Sequence, residues 1–442
     1  MNDRKILYWS VTVALAGFLF GFDTVVISGA DQQLQALWET SNLFHGFVVM
    51  SMALWGTVVG VILGNIPTDR LGRKKTLFWI GILYLISAVG SALVSDPYSF
   101  SFFRFIGGLG VGASTITAPA YVSEIAPARN RGKLVALYQF NIVFGILIAF
   151  ISNYLLKNMG SEPWRWMIGA EAIPAFIYTV LVLRVPNSPR WLLTQRGDRE
   201  GAAKVLRMIN PSQDPQTMID VIEKDGTKRD TQENIYQTRY RLLLIMAFLI
   251  AFFNQFSGIN AFLYYAPRIF EKAGLGESTA LLSSIGIGIT NLVFTLLGLY
   301  LIDRLGRKVL MYIGSYGYIF SLTMVALAFF LNWGGISVPI FLFIFIAAHA
   351  VGQGAVIWVF ISEIYPNQLR AKGQAFGSST HWICAALITI FMPSVLSDAG
   401  NPGIVFLFFA FMMVLQLLFV WRMMPETKGI PLEELQQHLL KD

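Results

Sequence analysis

The 442-residue chain is 55% hydrophobic and only 13% charged, with a net charge of +7 and a mean hydropathy of +0.58. Soluble domains carry about 25% charged residues, so the composition excludes an ordinary soluble protein and points to the membrane. The single cysteine, Cys384, excludes an intrachain disulfide. His45, His349, His381 and His438 are scattered along the chain, and no cluster of metal ligands or nucleophile beside a base stands out. Neither an enzyme nor a cofactor is expected.

In chain order, the start MNDRKILYW runs straight into apolar sequence without a small-residue cleavage site, so no removable signal peptide is expected. Stretches of about 20 apolar residues, each able to cross a bilayer core, then predict spans at 6–30, 44–66, 74–94, 100–124, 132–156 and 165–184. A polar segment rich in Lys, Arg, Glu and Gln follows at 188–240. Arg199–Ile209 has helical periodicity, and Asn210-Pro211 and Asp225-Gly226 interrupt it, which predicts short cytoplasmic helices. The second series of spans is expected at 241–266, 280–302, 308–331, 339–362, 372–396 and 402–424. Without the alternation of a β-barrel, the spans read as helices. The organisation is an N-terminal half (1–187), a linker (188–240), a C-terminal half (241–424) and a cytoplasmic tail (425–442).

The halves are copies. Ser123–Lys133, SEIAPARNRGK, recurs 239 positions later as Ser362–Lys372, SEIYPNQLRAK. Asp69-Arg70-Leu71-Gly72-Arg73-Lys74 recurs 234 positions later as Asp303-Arg304-Leu305-Gly306-Arg307-Lys308. Two independent motifs at nearly one offset mean one half-unit used twice, an architecture of secondary transporters with substrate sites near the bilayer midplane. With the N-terminus inside, only Lys157, Arg165, Arg268 and Lys272 fall outside and Arg104 within a span; the rest of the 33 Lys and Arg are cytoplasmic. That bias follows the positive-inside rule. The positive charge therefore reflects topology and anionic lipid rather than nucleic acid.

Charged residues inside spans are costly and mark function by default. Asp23, Arg104 and Glu171 lie at comparable depth in spans 1, 4 and 6. A buried carboxylate beside Arg stays ionised, and its protonation would release the Arg, which makes a proton-dependent switch; a static ion pair is the other reading. Neutral amides within spans can both donate and accept, and ligand pockets set a few such groups against apolar walls. Candidates are Gln139, Asn254, Gln255, Asn260, Asn291, Trp358 and Trp382, with Gln255 and Asn260 flanking a helix break at Gly258. Interhelical hydrogen bonding is the alternative use of such amides. At the inner helix ends, Asp69, Arg70, Arg73, Glu124 and Arg131, repeated as Asp303, Arg304, Arg307, Glu363 and Arg370, are candidates for a cytoplasmic gate of weak ion pairs.

The ordered series of motifs resembles the sugar porter branch of the major facilitator superfamily over nearly the whole chain. It comprises Gly17–Asp23, Asp69–Lys74, Arg104 with Gly107-Gly108, Glu124 with Arg131-Gly132, Pro186–Trp191, Gln255–Asn260, Asp303–Lys308, Glu363 with Arg370, and Pro425–Gly429. The first half is similar to proton-coupled xylose or hexose symporters and facilitative glucose carriers. The resemblance implies an all-α membrane protein of the major facilitator fold, with twelve transmembrane helices in two pseudo-symmetric six-helix halves. It implies a monomeric monosaccharide carrier in the bacterial inner membrane with both termini cytoplasmic. Asp23 matches the proton-coupling carboxylate, Gln139, Gln255, Asn260 and Asn291 match hydroxyl-binding positions, and Trp358 matches an aromatic near the inner gate. Four departures leave the sugar open: Asn254 stands where Gln is common, His381 where Asn or Gln is usual, Ala385 where Asn is expected, and Gly352-Gln353-Gly354 lacks the usual Pro. Facilitated uniport and, more distantly, sugar sensing remain the alternatives to proton symport.

Overall fold

The computed structural model describes residues 3–127, 130–211, 213–226, 234–366, 368–398, 400–430, 434–435 and 439–440; His438 lies outside them. Among the described residues the regular structure is helical, without a strand. Among the described residues, eleven helices are long and apolar enough to cross a membrane, or twelve when Asn42–Met50 and Met52–Leu63, bent by 41° at their junction, count as one span. The spans follow the apolar runs because a helix is the element that satisfies its own backbone in hydrocarbon.

Span 1, Asp3–Leu37, runs beyond the expected 6–30. The apolar run ends near Asp31, Gln32 and Gln35, but Ala, Gln and Leu continue the helix readily. Span 2 opens on Asn42–Phe44, passes through π turns at His45–Met50 and resumes as Met52–Leu63. Spans 3, 4 and 5 are Arg73–Leu93, Pro97–Ile125 and Arg131–Leu156. Asp96 caps span 4 by accepting from the Tyr98 and Ser99 N–H groups. Span 6 comes in two pieces, Pro163–Gly169 and Ala172–Val182.

In the second series, span 7 is Arg241–Phe256 and Ile259–Lys272 around a break at Ser257-Gly258. Gly258 holds φ 91° there, where a Cβ would press on Phe409 and Phe262. Gly258→Val is expected to cost about 1–3 kcal/mol of stability through backbone strain alone, more with the clash; thermal unfolding in detergent would measure it, and an unchanged midpoint would mean the break is not fixed by glycine. Spans 8 and 9 are Glu277–Leu305 and Arg307–Phe330. Span 10 is broken at Gly352 into Ser337–Val351 and Gln353–Ile364, and spans 11 and 12 are Arg370–Asp398 and Gly403–Arg422.

Among its described residues the polar segment forms three α-helices, Pro189–Arg196, Arg199–Ile209 and Pro215–Gly226, and a 3-10 turn at Thr238–Tyr240. Ser188 and Asp198 cap the first two, accepting from Trp191 N–H and Gly201 N–H. The second buries Ala202, Val205, Leu206 and Ile209, the face its periodicity predicts.

The chain forms two compact units. The first comprises Met1–Asp23, Trp55–Ile146 and Ile168–Gln232; the second comprises Thr24–Leu54, Leu147–Met167 and Glu233–Asp442. In the first, Leu19, Tyr84, Tyr121, Tyr138 and Tyr178 share a buried core with Trp191 and Leu206 of the polar segment, so those helices are docked rather than tethered. In the second, the Phe262 ring stacks on Phe406 with centroids 5.4 Å apart and meets Phe345 edge-on at 4.6 Å. Such aromatic pairs add to burial and hold the broken span 7 in place.

Candidate functional site

Three groups of residues carry the chemistry. The first is acidic and lies in the first unit. Asp23 of span 1, Arg104 of span 4 and Glu171 at the break of span 6 are all at most 1% exposed. The Arg104 guanidinium donates to Asp23 Oδ1, to the Asp23 backbone carbonyl at 3.0 Å and to Oδ2 at 3.4 Å. Glu171 is within electrostatic reach of both and close enough to Asp23 to share a proton with it, and neither of its carboxylate oxygens accepts a described hydrogen bond. One guanidinium therefore faces two acids. With both ionised the group is negatively charged in a site closed to water, and one added proton makes it neutral. Burying an uncompensated charge is expensive, so this geometry suits a cluster that binds and releases a proton.

The second group is a chain of amides in the second unit, built at the break of span 7. Asn260 Nδ2 donates to Gln255 Oε1 at 2.7 Å, and Gln255 Nε2 donates to Asn254 Oδ1 at 2.9 Å. Asn254 Nδ2 donates to Gln353 Oε1 at 3.4 Å, Gln353 Nε2 to Gln416 Oε1 at 2.6 Å, and Gln416 Nε2 to Ser315 Oγ at 2.8 Å. His381 of span 11 lies 3.1 Å from Gln255 Nε2. Its ring stands between Trp358, with centroids 5.1 Å apart, and Trp382, at 4.8 Å. Amides that both donate and accept, set beside aromatic faces, match the chemistry of a hydroxylated, uncharged ring.

Of the expected ligand residues, the fold thus gathers Asn254, Gln255, Asn260, Trp358 and Trp382. Asn291 is buried on span 8, where its Oδ1 accepts from Thr295 at 3.4 Å, and no described hydrogen bond joins it to the amide chain. Gln139 is half-buried on span 5 in the first unit. Sequence reasoning missed Gln353, Gln416 and Ser315 as members of the network. Their signal was modest: single polar residues in apolar runs, with Gln353 beside the glycine that breaks span 10.

The third group is duplicated at the inner helix ends. In the first unit Arg73 pairs with Glu124 at 3.0 Å and with Asp69 at 3.2 Å; in the second, Arg307 pairs with Glu363 at 2.7 Å and with Asp303 at 3.1 Å. Each arginine follows a glycine in left-handed conformation, Gly72 at φ 88° and Gly306 at φ 95°, which turns the chain so that a four-residue-spaced acid and a distant glutamate both reach the guanidinium. The chain after each half closes on its copy. Trp191 Nε1 donates to the Asp69 carbonyl at 2.7 Å. Glu426 accepts from the backbone N–H of Arg307 and Lys308, both at 3.0 Å, and Thr427 Oγ1 donates to Glu363 at 2.6 Å. Arg70 and Arg304 are exposed, the latter over the Tyr300 ring at 4.0 Å. Arg370 lines a cavity of about 490 Å³ with Asp303, Arg307 and Glu363. Arg131 begins span 5, and its side chain lies outside the described residues.

Comparison with known proteins shows the family. Residues 9–439 match the family described as "Sugar (and other) transporter". The D-xylose-proton symporter of Escherichia coli (strain K12) is 34% identical over 98% of this chain and 96% of its own. The glucose transporter GlcP of Staphylococcus epidermidis is 36% identical over 99% of this chain and 98% of its own. The partially occluded inward-open structure of the E. coli xylose transporter XylE superposes with a TM-score of 0.87 and 32% identity, covering 97% of this chain and all of that one. An integral membrane transporter of the major facilitator fold, the chain belongs to the sugar porter family.

Proposed function

We propose that the chain carries a monosaccharide, hexose or pentose, across the bacterial inner membrane by alternating access coupled to proton entry. The observation that carries this reading is the buried cluster in which Arg104 pairs with Asp23 while a second acid, Glu171, lies within electrostatic reach of both. A purely structural brace needs one carboxylate per guanidinium; a second buried acid leaves room for a proton. The names of similar proteins support the substrate class, being a D-xylose-proton symporter, an arabinose-proton symporter and a glucose transporter.

In this reading Asp23 takes the proton, Arg104 and Glu171 set when it leaves, and Gln139, Asn254, Gln255, Asn260, Asn291, Trp358 and Trp382 contact the sugar. The carrier works as a monomer in lipid, with both termini cytoplasmic, residues 1–187 and 241–424 as its moving halves and 188–240 as the linker beneath them. Competition for radiolabelled sugar uptake in proteoliposomes tests the substrate class. Hexoses and pentoses should compete; uptake blocked only by amino acids or organic ions would contradict the proposal.

The duplicated arginine clamps predict a separate defect. Arg73→Ala or Glu363→Ala should slow transport severalfold while sugar binding to purified protein persists, since neither residue touches the amide chain. Wild-type transport in both variants would reduce these motifs to topology signals.

A further inference from the structure

Eight positions beyond Asp23 on the same helix, about 12 Å of rise, a second buried acid has partners that the first cluster lacks. Asp31 is 1% exposed, His45 0% and Arg268 5%. Arg268 Nε lies 2.7 Å from Asp31 Oδ2, and its Nη2 donates to Asp31 Oδ1 at 3.0 Å and to Gln35 Oε1 at 2.6 Å. His45 Nε2 is 2.8 Å from that same Asp31 Oδ1, and its Nδ1 is 3.3 Å from Thr40 Oγ1. Two donors thus share one carboxylate oxygen. All these residues lie in the second compact unit, at the ends of spans 1, 2 and 7 remote from the N-terminus.

The cluster sits on a seam between the two sequence copies. Asp31 and His45 come from the first and Arg268 from the second. Neighbouring bonds cross the same seam: Gln32 donates to Glu271 at 2.9 Å and Asn42 to Asp398 at 3.1 Å. An alternating-access carrier must open this seam once per cycle, so whatever tips the cluster tips the cycle.

We propose that Asp31, His45 and Arg268 form a second proton-binding site, which holds the outer ends of spans 1, 2 and 7 together and releases them when the outside is acid. The location on the outer face rests on the orientation proposed above. The imidazole is hydrogen-bonded in either state: neutral, it donates from Nε2 to Asp31 and accepts from Thr40; protonated, it donates to both. The charge balance differs. With His45 neutral, Asp31 and Arg268 cancel. With His45 protonated, two cations compete for one carboxylate in a site closed to water, and opening the seam relieves this by hydrating them. Histidine is the side chain whose charge changes near neutral pH. Among the described residues, the other charged or titratable groups near this end of the packed elements are Tyr264, Tyr265, Glu271 and Lys272 of span 7, Asp398 of span 11, Glu39 before span 2 and Glu277 at the start of span 8. Of these, Tyr265 is fully buried.

Two measurements test the site. The chain has four histidines, so NMR of histidine-labelled protein follows four side chains, with His45 identified by the signal lost in His45→Gln. Should that variant be poorly produced, replacing His349, His381 and His438 leaves His45 as the sole signal. The His45 resonance is expected to move with pH as the imidazole gains its proton; a resonance that stays flat over the pH range in which the protein is folded overturns the proposal. In proteoliposomes at equal sugar on both sides, exchange needs no proton gradient. Wild-type exchange should quicken at least about threefold as the outer pH falls from about 8 to about 5.5, and His45→Gln should respond less than about 1.5-fold. An unchanged pH response in His45→Gln contradicts the latch. A His45-dependent response to inner pH instead would overturn the orientation while supporting the site. Absence of exchange for any sugar would overturn the carrier reading, and the NMR titration would still decide the site.

Discussion

Asp23→Asn should abolish proton-driven accumulation of sugar while leaving sugar binding within about twofold of wild type. The amide keeps the shape of the carboxylate and its one oxygen still accepts from Arg104, while the 3.0 Å bond to the Asp23 backbone carbonyl is untouched. What it loses is the ability to take a proton. A gradient of one pH unit is worth about 1.4 kcal/mol per proton, enough for about tenfold accumulation in one-to-one symport. The variant should fall from that level to simple equilibration, and retained sugar exchange distinguishes it from an unfolded protein. Accumulation equal to wild type in well-folded Asp23→Asn would remove Asp23 from coupling and leave the pair with Arg104 as a brace.

Gln255→Ala should be the most damaging single change in the amide group. Gln255 is the branch point: it accepts from Asn260, donates to Asn254 and lies against His381. Losing one buried hydrogen bond costs about 1–3 kcal/mol, or roughly 5- to 150-fold in affinity; Asn260→Ala should fall in the same range. Ser315→Ala, at the far end of the chain beyond Gln416, should change affinity less than about threefold because it reaches a ligand only through three amides. Titration calorimetry on purified variants separates these outcomes. Equal, small effects at all three positions would move the sugar away from span 7.

The span pattern was legible because crossing a bilayer demands length and apolarity, both visible in the residues. The break at Gly258 was legible too, since a glycine flanked by amides in an apolar run has no packing reason to be there. The breaks at Ala170-Glu171 and Gly352 and the π turns at His45–Met50 were not. Pro174, whose missing N–H leaves the Ala170 carbonyl without an α-helical donor, marks only the first of them; at the other two, packing against other spans decides where the backbone departs from α geometry. The repeated motifs identified Arg73, Glu124, Arg307 and Glu363 as corresponding residues. Their pairing needed the fold, because a motif carries no information on which distant acid a guanidinium will meet. Gln353 and Gln416 were invisible for a similar reason: one amide in an apolar helix reads the same whether it bridges helices or extends a network. Asp31 was passed over because it ends the apolar run of span 1 and looks like a solvated helix end; its partners His45 and Arg268, the latter 237 positions away, meet it only in the fold.

The central claim is that sugar and proton move together, and uptake by wild-type protein in proteoliposomes tests it most directly. With the outside made acid, sugar should accumulate inside above its external concentration, then leak back when a protonophore collapses the gradient. Sugar that only equilibrates under the same gradient, at a rate the protonophore does not alter, would contradict proton symport and make the carrier a uniporter.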